Sequence, residues 1–310
     1  MLSSVTTQAV ARVPHRGLSP LRRREAILGY LFISPWVLGF LFFTLGPFLA
    51  SMYLSLTDYT ILRAGEWVGL KNYIRAFTRE PLFWTSLYNT AWYVVFVVPT
   101  RIVLGFLLAL LLNTKVRGLA AWRTFFYMPT VTPIVATTIL WLFLLNPNFG
   151  MINYALSLLG IEPLPWLTSP TWSKPALFLM SLWWVGGNMV IFLAGLQGIP
   201  QHLYEAAELD GANAWHRLIH VTIPMMTPTI FFNLIMNIIG TFQVFTQAFI
   251  MTGGGPLNST RFYMLYLYDH AFRFFEMGYA SALAWVLFVI IMIFTLLTLR
   301  SSERWVFYGH

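Results

Sequence analysis

The residues able to do chemistry sit in three places. A polar stretch, residues 199–228, carries Glu205, Glu208, Asp210, Arg217 and three of the six histidines, His202, His216 and His220. Amides lie in the apolar runs on either side of it: Asn188 beside Trp183 and Trp184, then Asn233, Asn237, Gln243 and Gln247 among Phe242 and Phe245. Arg101 stands in another apolar run, after Pro99 and Thr100, with no acidic residue inside any such run to pair with it. His216 and His220 are i, i+4, a spacing that suits two metal ligands on a helix, but no further ligand cluster is near, and the chain has no cysteine. Catalysis is therefore not the chemistry these residues support. A compact polar loop with carboxylates on one helix face suits docking to a partner. Amides that donate and accept, beside flat aromatic faces, suit a sugar, whose hydroxyls take bidentate hydrogen bonds and whose CH faces stack. The same amides serve hydrogen bonds between helices equally well. An arginine at the centre of a bilayer costs about 2.5–3.5 kcal/mol on insertion scales. Arg101 reads either as a cap on carbonyls freed near Pro99 or as a group facing a water-filled path open to an anionic solute.

The elements that must position these groups cross a membrane. Of 310 residues, 58% are hydrophobic and only 10% charged, against about a quarter charged in a soluble domain. The mean hydropathy is +0.68, and the 17% aromatic content suits interface belts and helix packing. The net charge of +8 could suggest nucleic acid. Basic residues gathered in short segments beside membrane spans account for it better, and no nucleic-acid partner is expected. Six apolar runs are near the roughly 20 residues that cross a bilayer: 27–56, 87–112, 125–145, 176–196, 224–251 and 277–299. Pro35 and Pro47 should kink or bound the first, and Pro129 and Pro133 should break the third. The first run exceeds the roughly 7–15 residues of a signal-peptide core. Six spans place both termini on one side. The turn with Lys115, Arg117 and Arg123, the polar loop, and Arg300 with Arg304 share that side, which is read as cytoplasmic.

The polar loop itself reads as two short amphipathic helices meeting at a glycine bend. Pro200 suits a first helical turn, Leu203, Ala206 and Ala207 share one face, and Glu205 and Glu208 lie on another. Gly211 falls where a left-handed C-cap is wanted. Asn213 can cap a second helix with Trp215, Leu218 and Ile219 along one side, and Pro224 opens the next span. Gly253, Gly254 and Gly255, before Pro256, end that span and read as a turn.

Glu205-Ala206-Ala207, then three residues, Gly211, nine residues, and Val221-x-Ile223-Pro224 resembles the EAA loop of binding-protein-dependent ABC transporter permeases. The family form ends Ile-x-Leu-Pro, so Val221 and Ile223 are apolar departures. Further stretches resemble carbohydrate-type permeases: Trp67-Val68-Gly69-Leu70-Lys71-Asn72-Tyr73, Asn89-Thr90, Arg123 to Pro129, the end of Trp141 to Asn153, Ala194 to Pro200, and Thr252-Gly253-Gly254-Gly255-Pro256. Together they cover nearly the whole chain, and the extra first span with the last motif resembles the first of the two permeases in maltose- and glycerol-phosphate-type systems.

The resemblance implies an all-α integral membrane protein with six transmembrane helices and the type-1 ABC importer permease fold, in a bacterial or archaeal cytoplasmic membrane. It implies that Leu203, Glu205, Ala206, Ala207, Asp210, Gly211 and Trp215 form the element coupling the chain to an ATPase, with Leu203, Ala206 and Ala207 buried in a groove of that partner. No Gly-x-x-x-x-Gly-Lys phosphate loop is present, so the chain has no nucleotide cofactor of its own and a dimer of ATP-binding subunits is expected to hold ATP. A second permease subunit, an extracytoplasmic solute-binding protein, a carbohydrate substrate and membrane lipid complete the expected partners. The path for the solute is expected mid-membrane, at Trp183, Asn188, Asn233, Asn237, Phe242 and Gln243.

The chain then divides into a cytoplasmic tail 1–24, a first transmembrane helix 25–56, an extracytoplasmic loop 57–85, a permease core 86–300 containing the coupling loop 199–224, and a cytoplasmic tail 301–310. An ion-coupled secondary transporter of a small polar solute is the alternative. It would ordinarily show internal repeats and ionisable groups within its spans.

Overall fold

A computed structural model describes residues 20–114 and 117–307. Lys115, most of the expected N-terminal tail and residues 308–310 lie outside the described residues. The protein is built of helices; among the described residues, extended pairing is limited to two single bridges, Thr57 with Trp67 and Thr60 with Arg63.

The first helix, α1 (Pro20–Ser55), forms a unit of its own up to Tyr53. It starts before the expected boundary at residue 25, runs through Pro35, and contains a π turn, Leu41–Leu45, just ahead of Pro47. A proline removes the N–H of a regular turn, and here the Gly46 N–H reaches the Leu41 carbonyl instead. Nothing between Pro20 and Leu45 is buried within the chain.

The second unit starts at Leu54. It contains α2 (Lys71–Thr78), α3 (Pro81–Leu112), α4 (Leu119–Val131), α5 (Ile134–Leu144), α6 (Met151–Leu158), α7 (Pro170–Gln197), α8 (Gln201–Leu209), α9 (Ala214–Met251), α10 (Tyr263–Tyr268) and α11 (Met277–Trp305). Five helices, α1, α3, α7, α9 and α11, are long and apolar enough to span a membrane; α4 and α5, bent by 99° to each other, make a sixth as one broken span. The break falls at Pro133 and not at Pro129, which the helix runs through. A proline drives the residue before it out of the helical region, and Thr132 is extended at ψ 136°. Its hydroxyl donates to the Pro129 carbonyl at 2.6 Å, so a carbonyl at the break keeps a partner.

The core gathers around α3. Tyr93 and Val97 pack with Leu177 and Met180 of α7 and with Phe262. Phe83 and Val98 pack with Tyr263, Tyr266, Leu283 and Phe242. Ala109 and Leu112 pack with Met189, Phe192 and Met226. The α3–α7 contact is close because Gly105 has no side chain: a Cβ there would lie 2.8 Å from the Cβ of Asn188.

At the end far from the α8 loop, polar side chains tie distant segments together. The Asn72 amide donates to the Ser55 and Thr57 carbonyls at 2.9 and 2.8 Å. Asn89 donates to the carbonyls of Asn258 and Arg261, and Thr90 accepts the Tyr263 N–H at 2.8 Å. Arg75 bridges Glu80 at 2.9 Å and Glu276 at 3.0 Å, with its guanidinium 4.2 Å from the Tyr279 ring centre. His270 completes the cluster, its Nδ1 2.8 Å from Glu276. This fastens α2 to the start of α11.

Candidate functional site

The polar loop is a helix, a bend and the start of a second, long helix. Helix α8 ends in a Schellman arrangement: the Ala212 N–H donates to the Ala207 carbonyl at 2.9 Å and the Gly211 N–H to Glu208 at 3.0 Å. Gly211 has φ +80°, a left-handed conformation that costs a residue with a Cβ about 1–2 kcal/mol. Open space surrounds it, so the need for glycine is conformational and not steric. Asn213 then caps the next turn, its side-chain oxygen accepting the His216 N–H at 2.9 Å. The second helix is not a separate short element, however. From Ala214 it passes through a π turn, Leu218–Thr222, and straight into the membrane span ending at Met251.

Two contacts cross the bend and a third lies within the π turn. Arg217 pairs with Glu208, Tyr204 shares a 3.0 Å hydrogen bond with Thr222, and the Thr222 hydroxyl donates back to the Arg217 carbonyl. The face of α8 that turns inward is Leu203, Tyr204 and Ala207, all half-buried against the chain itself. The free face is His202, Glu205, Ala206 and Leu209, with Leu209 90% exposed. Of the trio expected in a partner's groove, Leu203 and Ala207 are half-buried within the chain and Ala206 is exposed. Asp210 and Trp215 are exposed beside the same face. The His216 and His220 rings stack 5.9 Å apart, and each Nδ1 is engaged locally, with the Asn213 oxygen and the His216 carbonyl.

Inside the membrane two spans are broken, and the break in one of them, α9, lines a cleft. Helix α7 is interrupted by a 3-10 turn, Leu182–Trp184, and α9 by Gln243, Val244 and Phe245. Irregular backbone at membrane depth persists only where protein or a water-lined cavity surrounds it. A polar cleft of about 150 Å3 lies there, lined by Tyr93, Arg101, Thr241, Gln243, Thr246 and Gln247 among others. Ligand pockets usually span about 300–1,000 Å3, so this cleft has the size of part of a site.

Residues 101–306 match the family described as binding-protein-dependent transport system inner membrane component. The chain belongs to that family. The permease is 43% identical over 290 residues to the probable ABC transporter permease protein YesP of Bacillus subtilis, covering 92% of this chain and 94% of that one. It is 36% identical to the lactose transport system permease protein LacF of Rhizobium radiobacter and 33% identical to the trehalose/maltose transport system permease protein MalF of Thermococcus litoralis, each over 92% of this chain and 97% of the relative. Its fold matches a chain from the crystal structure of a bacterial ABC transporter that imports the acidic polysaccharide alginate, with a TM-score of 0.81, 24% identity, and coverage of 91% and 96%. The architecture is therefore the type-1 importer permease fold, and the permease is a transport subunit rather than an enzyme.

The residues expected on the solute path separate into two groups. Asn188 of α7 and Asn237 of α9 exchange amide hydrogen bonds at 3.3 and 3.4 Å, and Asn237 also donates to the Asn233 carbonyl. Asn233 is buried and donates to Thr229, and Phe242 is buried against Phe294. The Asn188–Asn237 and Phe242–Phe294 pairs join helices, Asn233 bonds within α9, and none of the four lines the cleft. Trp183 packs edge-on to Trp141 at 5.9 Å, and the indole N–H groups of both find no acceptor among the described residues. Gln243 does line the cleft of the permease, joined by Arg101, Thr246 and Gln247. Arg101 does cap a carbonyl, but not one near Pro99: its Nε donates to Ser181 at 2.9 Å, where α7 breaks. Sequence reasoning missed Leu209, Thr241 and Thr246, since only the direction of a side chain separates them from their apolar and polar neighbours.

Proposed function

We propose that this permease forms part of the path by which an ATP-driven importer admits a carbohydrate delivered by an extracytoplasmic binding protein. A second permease would complete the path, and a dimer of ATP-binding subunits would dock on the α8 loop, placing both termini of this chain in the cytoplasm. The lactose and trehalose/maltose systems of its relatives support the solute class. The polar cleft suits it too, since Gln243 and Gln247 offer paired donors and acceptors beside Tyr93 and Phe245.

The observation that carries the coupling role is the continuity of α8, the bend and α9. A groove on an ATPase subunit would take the free face of α8, a helix-in-groove contact. Leu209 would enter the groove, Ala206 would allow close approach, and Glu205 would meet a basic group. Because Arg217–Glu208 and Tyr204–Thr222 stiffen the bend, movement of α8 is carried into α9, whose break lines the cleft. ATP would favour the outward-facing state and hydrolysis would reset it, a shift between two populations.

The test uses Glu205→Lys and Leu209→Asp in the complete transporter. Both side chains are exposed, so yield and thermal stability of the permease should match the parent. Transport should fall to background in each, with loss of the ATPase during mild-detergent purification. Full uptake by both variants would reject the coupling role of this face.

A further inference from the structure

The cleft carries a charge that no carboxylate among the described residues balances. Arg101 uses its Nε on the Ser181 carbonyl, and its two Nη nitrogens have no partner among the described residues. No carboxylate lies within ion-pairing distance of it among those residues. Within α3, α4, α5, α7 and α9 there is no Asp or Glu at all. An arginine cannot shed its proton, so a buried guanidinium needs a counter-charge or water.

Capping Ser181 does not account for the charge. The same chain caps other carbonyls with neutral amides, Asn72 on Ser55 and Thr57, and Asn89 on Asn258 and Arg261. A neutral donor would bind one carbonyl without the cost of a desolvated cation. The remaining polar groups of the cleft, Gln243, Gln247, Thr241 and Thr246, are all uncharged. A second cation stands on the same helix pair. Lys174 of α7 holds its ammonium 4.9 Å from the Tyr88 ring centre and 5.5 Å from that of Trp92, both on α3, with no carboxylate partner among the described residues. In the cleft, the Arg101 cation beside Tyr93, Phe245 and the glutamine amides makes a surface for a sugar that carries negative charge; Lys174 lies outside it.

We infer that the solute is an acidic saccharide, one bearing a carboxylate or comparable oxyanion, and that Arg101 selects it. The guanidinium takes the oxyanion in a fork of two N–H donors, while Gln243, Gln247 and Thr246 take hydroxyls. This rests on the carbohydrate reading above and narrows it.

The experiment uses the complete transporter with its partner subunits and binding protein in proteoliposomes. Uptake is measured for mono- to trisaccharides of glucose, galactose and mannose, each beside its uronic acid counterpart. The parent should take up at least one uronic saccharide ten-fold or more faster than its neutral match. Arg101→Gln should lower that uptake at least ten-fold and neutral uptake by much less, so that the acid preference collapses, and Arg101→Lys should keep the acid preference. Equal effects of Arg101→Gln on both classes, or none, overturn the inference and leave the permease reading intact. A parent that transports neutral sugars alone overturns it as well, whereas transport of neither class overturns the carbohydrate reading on which it rests. If Arg101→Gln does not assemble, Arg101→Lys decides: an acid preference retained supports the inference, and one lost overturns it. Failure of both to assemble assigns Arg101 to the Ser181 cap or to a carboxylate of the second permease, and overturns it too.

Discussion

Glu276 shows how one side chain carries the far-end cluster. Its pKa is held down to about 2, first by the hydrogen bond from His270 and then by those from Arg75, against the opposing effect of burial. A depressed carboxylate stabilises the fold fully above its unfolded value of 4.5, and that contribution fades as pH falls from there toward about 2. The detergent-purified permease should therefore lose thermal stability across that window. Glu276→Gln should be less stable at neutral pH and should flatten the acid slope; an unchanged slope would show that the cluster does not depend on this ionisation. The group is half-exposed, so the effect belongs to the range of screened pairs and not of buried ones. Arg101 belongs to the same scale and shows what a sequence hides. That it was an unpaired charge was plain from the absence of acidic residues in its surroundings. Its acceptor, Ser181, lies 80 positions away, and nothing local to Pro99 points there.

At the scale of elements, apolar runs long enough to cross a bilayer were legible, because about 20 such residues in a row leave no polar face for water. Their ends and breaks were less so. Pro129 and Pro133 are chemically alike, yet only Pro133 turns the chain, because the two parts of the span are held elsewhere, α4 against α7 and α5 against the last part of α9, Thr246–Met251. The continuity of α9 from Ala214 was masked by Pro224, which sits in the first turn after a π turn that absorbs the irregularity. The motif residues Asn72, Asn89 and Thr90 were visible as a pattern, but their work is to pin loops, with partners up to 173 positions distant. The α3–α7 contact gives the sharpest test at this scale. Gly105→Ala places a Cβ 2.8 Å from that of Asn188, so the helices must part and the Asn188–Asn237 pair must stretch. Overpacking of this kind costs about 1–3 kcal/mol, to be read as a lowered melting temperature in detergent. A second change, Asn237→Ala, should then cost less in the Gly105→Ala background than in the parent, since the pair is already loosened. Strict additivity would show that Gly105 and the amide pair act independently.

For the whole molecule, the decisive property is sidedness, because the proposed function needs an ATPase on one face and a binding protein on the other. The chain contains no cysteine, so a single introduced thiol reports one position without background. Leu209 on α8 and Leu257 in the loop after α9 are 90% and 87% exposed, and one crossing, α9, separates them. A thiol at Leu209→Cys should react with a membrane-impermeant maleimide only from the cytoplasmic side, and one at Leu257→Cys only from outside. The distribution of charge supports this orientation: Arg117, Arg123, Arg217, Arg300 and Arg304 all fall on the α8 side of the six-span topology. The segment 57–80, with Arg63, Lys71, Arg75 and Arg79, is basic as well, but Arg63 pairs with Asp58, Arg75 pairs with Glu80 and Glu276, and Lys71 and Arg79 line a pocket with Asp58 and Glu80. Its positive charge is thus largely answered on its own side and does not oppose the orientation. Labelling of both thiols from the same side would mean that α9 does not cross, and the proposed coupling would fall with it, since an ATPase docked on α8 could then no longer act through α9 on the break that lines the cleft.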